Sequence, residues 1–196
     1  MFRFSPAPYT DAMNPRDFDP FRLDVAAFAK AAGELEGRWP LLQFDRLTES
    51  ATAEAPPGNG SEVTWRARGE PRQMRGGETQ VWLHIAASTA LALECQRCLK
   101  PVDVALALER SFLFVHGEDA AAQLDTDSDD DVLALTRALD LRELIEDELL
   151  LALPLVPRHE VCPAPLVPPA GVEEEFADAK PNPFAALALL KRKNPN

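Results

Sequence analysis

The sequence has few cysteines and lacks any long apolar run. Three cysteines in 196 residues are an odd and low count, which argues against the disulfide framework of a small secreted domain. No apolar stretch approaches the roughly 18 residues that a membrane helix needs. The N-terminus shows neither the apolar segment of a signal peptide nor an Arg-rich transit pattern. We therefore expect a cytoplasmic protein that does not bind a membrane.

Basic residues are also scarce. The 20 Lys and Arg residues are outnumbered by 32 Asp and Glu residues, which gives a net charge of −12. A broad basic face that neutralises phosphates requires clustered Lys and Arg, so the composition argues against non-specific grip on nucleic acid. Such an acidic chain suits a basic partner or simply keeps the protein soluble.

Sequence patterns typical of enzymes are missing as well. The chain has no Gly-rich phosphate-binding loop, no nucleophile elbow and no HExxH pattern. His84 and His116 stand alone, and an isolated strand histidine is more often structural than catalytic. We predict a protein without catalytic activity and without a small-molecule substrate.

The composition indicates one ordinary domain with extended segments around it. Apolar residues make up 46% of the chain, enough for a core, and 18 prolines cluster near the ends and in loops. We predict an extended N-terminal segment over residues 1–18 and a single domain over residues 19–158. A Pro- and Glu-rich linker over residues 159–181 and an amphipathic C-terminal helix over residues 182–193 are predicted to follow.

Alternation of apolar and polar residues predicts a β-sheet in the middle of the chain. Sequential strands joined by short turns favour antiparallel pairing. The predicted fold is therefore α+β, with an antiparallel sheet of about four to six strands and a few helices. Arg110 interrupts the apolar side of the last strand, which predicts a bulge or a strand end there. The predicted strands cover residues 39–44, 63–67, 81–85, 91–95 and 104–114.

Two segments carry helix-start signals. Asp19 followed by Pro20 is typical of an N-cap and a first helical position. Asp140 with Glu143 three residues later resembles a capping box, and Pro154 is expected to end that helix.

Two acidic clusters are predicted to be solvated. Residues 117–131 carry seven Asp and Glu residues, and their mutual repulsion predicts an acidic loop. This loop lacks the central Gly and the closing Glu of an EF-hand, so calcium binding is not indicated. The late helix carries Glu146, Asp147 and Glu148, which are predicted to form a solvated face rather than an acid–base pair.

The cysteines have the spacing of metal ligands. Cys95 and Cys98 are separated by two residues between two candidate strands, and His159 and Cys162 repeat that spacing. Together they supply three thiolates and one imidazole, a closed tetrahedral set suited to structural zinc. The alternative is a bare cysteine turn without metal. A dithiol redox enzyme is disfavoured, because such enzymes place a helix N-terminus after the CxxC motif, whereas a strand pattern follows here.

Arginine and tryptophan lie close together in the predicted sheet. Interleaved Arg and aromatic residues can hold phosphates and stack bases; alternatively, the tryptophans belong to the core and the arginines to a solvated strand face. The C-terminal helix either docks on its own sheet or enters the groove of a partner. The candidate contact residues for RNA or a partner are Arg66, Arg68, Arg72, Arg97, Lys100, Phe184 and Leu187.

Three motifs, taken in order, resemble those of the YceD family, the large ribosomal RNA subunit accumulation proteins of bacteria and plastids. The resemblance covers roughly residues 20–193. One difference is that many relatives carry a second CxxC motif after the proline that ends the late helix, where this chain has His159 and Cys162. The motifs are Cys95-Gln96-Arg97-Cys98-Leu99; Asp140-Leu141 with Glu146-Asp147-Glu148-Leu149 and Leu153-Pro154; and Lys180-Pro181-Asn182-Pro183-Phe184 with Leu187 and Leu190.

The resemblance implies a non-enzymatic accessory role in the synthesis, processing or stability of large-subunit (23S) ribosomal RNA. It names a process and not a chemistry. The implied partners are a ribosomal RNA precursor, a basic ribosomal protein, or both. The alternative is a thiol-redox or zinc-dependent enzyme that uses the CxxC motif.

Overall fold

The computed structural model describes residues 18–74, 77, 79–128 and 130–163. The C-terminal helix predicted over residues 182–193, with Phe184 and Leu187, lies outside this range. Among the described residues, no helix is long and apolar enough to cross a membrane. The elements in chain order are α1 (Val25–Lys30), β1 (Glu34–Pro40), a 3₁₀ turn (Leu41–Gln43), α2 (Asp45–Glu49), β2 (Glu62–Gln73), β3 (Thr79–Glu94), β4 (Pro101–Val115), α3 (Glu118–Asp127), β5 (Asp131–Ala134) and α4 (Leu141–Leu151).

The five strands form one sheet in the order β1-β2-β3-β4-β5. The first four strands pair antiparallel, as the alternation predicts. The prediction of a purely antiparallel sheet is wrong at the far edge, because β5 pairs parallel to β4 from Phe112↔Asp131 to Val115↔Ala134. Helix α3 lies between these two strands and returns the chain to the starting end of the sheet, as parallel pairing requires. The α+β fold class is confirmed, with a mixed sheet.

Strand β3 is one continuous strand where the alternation predicts two. It keeps an unbroken register with β4 from Val81↔Phe114 to Glu94↔Pro101. The predicted bulge near Arg110 is wrong, since Arg110 pairs in register with Ile85. The Arg110 guanidinium reaches the carboxylate of Glu148 on α4 at 3.1 Å. An ion pair, rather than a break in the strand, accommodates the charged residue on the core side.

The main core lies between one face of the sheet and helices α1, α2 and α4. This face is called the inner face here. Phe28 of α1, Leu47 of α2 and Ile145 of α4 are fully buried against the strands. The amphipathic pattern of α4 follows from its sequence, and the side chain of Asp140 accepts hydrogen bonds from the backbone N–H groups of Arg142 and Glu143. The predicted N-cap of this helix is therefore confirmed.

Helix α1 begins later than the Asp19-Pro20 pair predicts. The Asp19 side chain accepts a hydrogen bond from the N–H of Phe21, which closes a turn rather than a helix. Leu23 then pairs with Leu139 in an isolated bridge, and the N-cap is Asp24. A long-range backbone contact overrides the local helix signal.

The predicted strand over residues 39–44 is displaced toward the N-terminus. Strand β1 covers Glu34–Pro40, and the 3₁₀ turn follows it. Trp39 stacks on Trp65 of the neighbouring strand at 4.2 Å between ring centroids, and proline at the end of β1 suits a strand terminus. The apolar residues after Pro40 enter the core from a turn instead of a strand.

The acidic loop predicted over residues 117–131 is largely helix α3. Glu118 and Asp119 lie in the first turn, where the helix dipole favours negative charge. Ala121 is buried beside Trp82 and Leu113, on the outer face of the sheet, opposite the inner face. This small apolar cluster stabilises a helix that charge alone would disfavour.

The acidic side chains of α4 are not a solvated face. Glu146 is only 8% exposed, and Glu148 is held by Arg110. Only Asp147 of the three points to solvent, where it pairs with Arg46. The prediction failed because α2 and β4 bring basic and amide groups to these carboxylates from distant parts of the chain.

Candidate functional site

The CxxC motif forms a tight turn between the two longest strands. Residues 95–100, called the knuckle here, begin after β3 and end where β4 starts. The N–H of Leu99 donates to the Cys95 carbonyl at 2.8 Å, and the N–H of Cys95 donates to the Lys100 carbonyl at 3.0 Å. Leu99 has a φ of 58°, a left-handed conformation that is uncommon for a residue with a side chain. The ladder of β3 and β4 therefore closes with both cysteines in one turn, as the motif predicts.

A second segment brings the other two candidate ligands to the knuckle. Residues 157–162, called the strap here, follow α4. The N–H of Gln96 donates to the carbonyl of Pro157 at 2.9 Å. This bond ties the strap to the knuckle and carries His159 and Cys162 across to it.

The four candidate ligands converge on one point. Their ligand atoms all lie within 4.8 Å of one another. The sulfurs of Cys95 and Cys162 are 3.9 Å apart, and the sulfur of Cys98 is 3.4 Å from Nδ1 of His159. Around a tetrahedral zinc ion, two thiolate sulfurs lie about 3.8 Å apart and a sulfur and an imidazole nitrogen about 3.6 Å apart. The measured distances agree with that geometry, so the residues predicted from spacing form a cluster that can hold a metal.

The backbone fixes which imidazole nitrogen is available. Nε2 of His159 lies 3.0 Å from the carbonyl oxygen of Pro101. A carbonyl can only accept, so Nε2 carries the proton and the lone pair of Nδ1 faces the sulfur of Cys98. Such a hydrogen bond from the far nitrogen is typical of metal-binding histidines. Sequence reasoning missed Pro101, because a backbone carbonyl gives no side-chain signal.

The two knuckle thiols differ in their acidity. Burial raises the pKa of Cys95, but backbone hydrogen bonds from Arg97, His159 and Cys98 outweigh it and bring that pKa down to about 5. Burial raises the pKa of Cys98 above its ordinary value. Cys95 is therefore a thiolate at neutral pH, which is the protonation state that a metal ligand requires.

Arg97 contacts the strap rather than solvent alone. Its Nε donates to the sulfur of Cys162 at 3.0 Å, and its Nη2 lies 3.3 Å from the carbonyl oxygens of His159 and Glu160. The hydrogen bond to Cys162, with the charge of that sulfur, raises the pKa of Arg97. The candidate RNA contact Arg97 thus belongs to the metal cluster.

The structure does not resemble a dithiol redox site. Strand β4 begins at Pro101, so no helix N-terminus lies behind Cys98 to stabilise a nucleophilic thiolate. Both cysteines of the knuckle are buried. Three sulfurs and one imidazole also complete a tetrahedral shell, which leaves no position for a catalytic water.

Two of the other candidate contact residues lie on the outer face. Arg66 and Arg68 project from β2, and Arg66 lines two adjoining grooves of about 600 and 390 Å³. Arg68 pairs with Glu70 at 3.5 Å. The charged residues that line the grooves are Glu34, Glu36, Arg38, Arg66, Arg68, Glu70 and Glu109.

The tryptophans do not form a stacking platform on that face. Trp65 is 5% exposed and Trp82 is 4% exposed, so both belong to the interior, as the alternative interpretation holds. The guanidinium of Arg72 stacks on Trp82 at 4.2 Å from the ring centre, and its Nε bonds Glu70 at 2.8 Å. The ammonium of Lys100 faces Glu54 at 3.6 Å. Arg72 and Lys100 are thus engaged within the protein.

Comparison with known proteins agrees with the sequence motifs. The family model "Large ribosomal RNA subunit accumulation protein YceD" matches residues 83–191. A protein of Haemophilus influenzae with the same description is 32% identical over 177 residues, which cover 89% of this chain and 97% of that relative. No solved structure matches the chain.

Proposed function

The chain belongs to the YceD family of large ribosomal RNA subunit accumulation proteins, and from this we propose that it is a non-enzymatic accessory factor in the synthesis, processing or stability of large-subunit ribosomal RNA. It acts in the cytoplasm by binding. The observation that carries a binding role is the closed cluster of Cys95, Cys98, His159 and Cys162. The strongest chemistry-bearing group of the described residues suits a structural metal and not a reaction.

The metal is zinc. Soft thiolates with one imidazole at tetrahedral separations are typical of structural zinc sites. When bound, zinc joins the strap to the knuckle and stabilises the end of the β3–β4 ribbon. In this role the cysteines are consumed as ligands, which argues against the alternative of a thiol-redox enzyme.

Zinc content tests this part directly. Protein purified without chelator carries about one zinc per chain, and Cys95→Ser loses it, because removing one of four ligands opens the shell. Metal analysis that finds none in the wild-type protein would disprove the zinc assignment. Turnover in a disulfide-reduction assay by metal-free protein would instead favour the enzyme.

The binding surface is the open part of the outer face around Arg66 and Arg68. The lining of its grooves mixes three arginines with four glutamates, so it does not form a basic patch. Mixed charge of this kind favours a partner that offers both positive groups and acceptors, such as a basic ribosomal protein. The overall charge of −12 adds a favourable field for the approach of such a partner. Direct contact with a ribosomal RNA precursor is the other candidate, since Arg66 makes no salt bridge with any described residue.

Affinity purification from growing cells separates these partners. The proposal predicts recovery of a large-subunit ribosomal protein or a ribosomal RNA precursor with the wild-type chain. The variant Arg66→Glu with Arg68→Glu should lose the partner, whereas Arg22→Glu with Arg137→Glu makes the same charge change at exposed positions away from the grooves and should keep it.

The salt dependence of binding distinguishes RNA from protein. If RNA contacts both arginines, the slope of log affinity against log salt should flatten by about 1 to 2 in the Arg66→Glu, Arg68→Glu variant. An unchanged slope with purified RNA excludes this surface as an RNA site. Recovery of neither class of partner would contradict the proposed role.

A further inference from the structure

Arg97 links the two halves of the candidate metal site. It lies in the knuckle between Cys95 and Cys98, yet all three of its polar contacts are with the strap. Its Nε donates to the sulfur of Cys162 at 3.0 Å, and its Nη2 donates to the carbonyl oxygens of His159 and Glu160 at 3.3 Å. The contacts join the turn that supplies two ligands to the segment that supplies the other two.

Charge gives these contacts a second consequence. A zinc ion bound by three thiolates and one neutral imidazole carries a net charge of −1. The sulfurs of Cys95 and Cys98 are buried, so water solvates that charge poorly. The guanidinium of Arg97 lies directly against the third sulfur, where it balances the charge. A planar guanidinium also presents several donors in fixed directions, which suits simultaneous bonds to a sulfur and to carbonyls.

We infer that Arg97 supports the metal site from outside the coordination sphere, by neutralising the three-thiolate centre and by holding the strap that supplies His159 and Cys162. This inference rests on the zinc proposed above. Arg97 is a positioning residue, since it acts through Cys162 and contacts no metal. The role replaces the interpretation of Arg97 as a contact for RNA.

The knuckle contains a matched control. Lys100 has the same charge and lies three residues further on, but its ammonium faces Glu54 at 3.6 Å and contacts no ligand. Changing Lys100 to Gln therefore removes one positive charge from the knuckle without removing a contact to the cluster.

Zinc affinity is measured by competition with a chromophoric chelator for wild type, Arg97→Gln, Arg97→Lys and Lys100→Gln. Loss of a partner outside the coordination sphere typically weakens metal affinity by about 10- to 100-fold, and this is expected for Arg97→Gln. Arg97→Lys keeps the charge but loses the forked donors, so its affinity should lie between those of Arg97→Gln and wild type. Lys100→Gln should match wild type.

Cobalt substitution provides a readout that folding alone would not change. The hydrogen bond from Arg97 withdraws electron density from the sulfur of Cys162. Without it, the sulfur-to-cobalt charge-transfer band should move to longer wavelength in Arg97→Gln and stay in place in Lys100→Gln. If Arg97→Gln does not fold, Arg97→Lys carries both measurements.

The outcomes separate this inference from the zinc proposal. A wild-type protein with one zinc, together with equal affinities and equal band positions in Arg97→Gln and Lys100→Gln, would overturn the role of Arg97 and leave the zinc site intact. A wild-type protein without zinc would overturn the metal assignment and this inference with it. Weaker RNA binding by Arg97→Gln at unchanged zinc affinity would restore Arg97 as an RNA contact.

Discussion

The carboxylate of Glu146 accepts a hydrogen bond of 3.1 Å from the backbone N–H of Leu47, which lies 99 residues earlier in the chain. Its second oxygen accepts from the guanidinium of Arg46 at 3.2 Å. The contact joins α2 to α4 at the border of the core. It satisfies a buried amide at a helix N-terminus that no residue nearby in sequence satisfies.

Replacement of Glu146 should therefore destabilise the fold. Glu146→Ala leaves the N–H of Leu47 buried without a partner, which costs about 1 to 3 kcal/mol of the free energy of unfolding. Glu146→Gln retains an acceptor oxygen and should cost less. Glu143→Ala, an exposed position on the same helix, should change little. Urea denaturation measures all three, and equal stability of Glu146→Ala and Glu143→Ala would rule out this role.

Gly69 marks the closest approach of α1 to the sheet. A Cβ at this position of β2 would lie 2.7 Å from the Cα of Ala29 and 2.9 Å from the carbonyl carbon of Phe28. Backbone atoms cannot move aside as a flexible side chain can, so Gly69→Ala should destabilise the protein by about 1 to 3 kcal/mol. Gly58→Ala, where a Cβ meets nothing within 4 Å, is the matched control. A wild-type melting temperature for Gly69→Ala would show that α1 is not packed this closely.

Glu148 should make stability depend on pH. Burial raises the pKa of Glu148 above its ordinary value of 4.5, and Arg110 opposes that rise. Between pH 4.5 and the raised pKa, the folded chain binds more protons than the unfolded chain, so this residue's contribution to stability falls as the pH rises through that window. Glu148→Gln cannot titrate and should gain stability relative to wild type across the same window.

Arg110 provides the check on that assignment. Arg110→Gln removes the attraction that lowers the pKa of Glu148, so the pH window should extend to higher values. Denaturation at a series of pH values measures both effects. A difference between wild type and Glu148→Gln that does not vary with pH would contradict the shift.

His159 should be needed for zinc and His116 should not. His159→Gln removes the imidazole that faces Cys98, and zinc affinity should fall by more than the roughly 10- to 100-fold expected for a supporting residue. His116→Gln removes a histidine next to the end of β4 and should leave zinc content unchanged. Equal zinc content in the two variants would exclude His159 as a ligand.

Much of the sheet could be predicted from the sequence. Val63, Trp65 and Ala67 alternate with polar residues, and the period of two gives both the strand and its buried side. The N-cap at Asp140 was likewise readable, because its signal is local. Helix α1 was misplaced because the bridge between Leu23 and Leu139 joins residues far apart in the chain.

The candidate site divides in the same way. The spacing of Cys95 and Cys98, and of His159 and Cys162, predicted which residues could share a metal. The geometry of the cluster and the tautomer of His159 depend on the carbonyl of Pro101 and on the strap. The role of Arg97 also depends on the strap, so a basic residue beside a CxxC motif was first interpreted as a contact for RNA.

The sequence by itself determined the α+β class, the cysteine turn between two strands, the cap of α4 and the family. These features depend on residues within a few positions of one another or on motifs kept in order. Only the tertiary structure decided that the acidic segment forms α3 on the outer face, that Glu146 and Glu148 are held inside, and that Arg97 faces Cys162. Each of these outcomes depends on a partner distant in sequence, and burial or charge pairing with that partner outweighs the local preference of the residue.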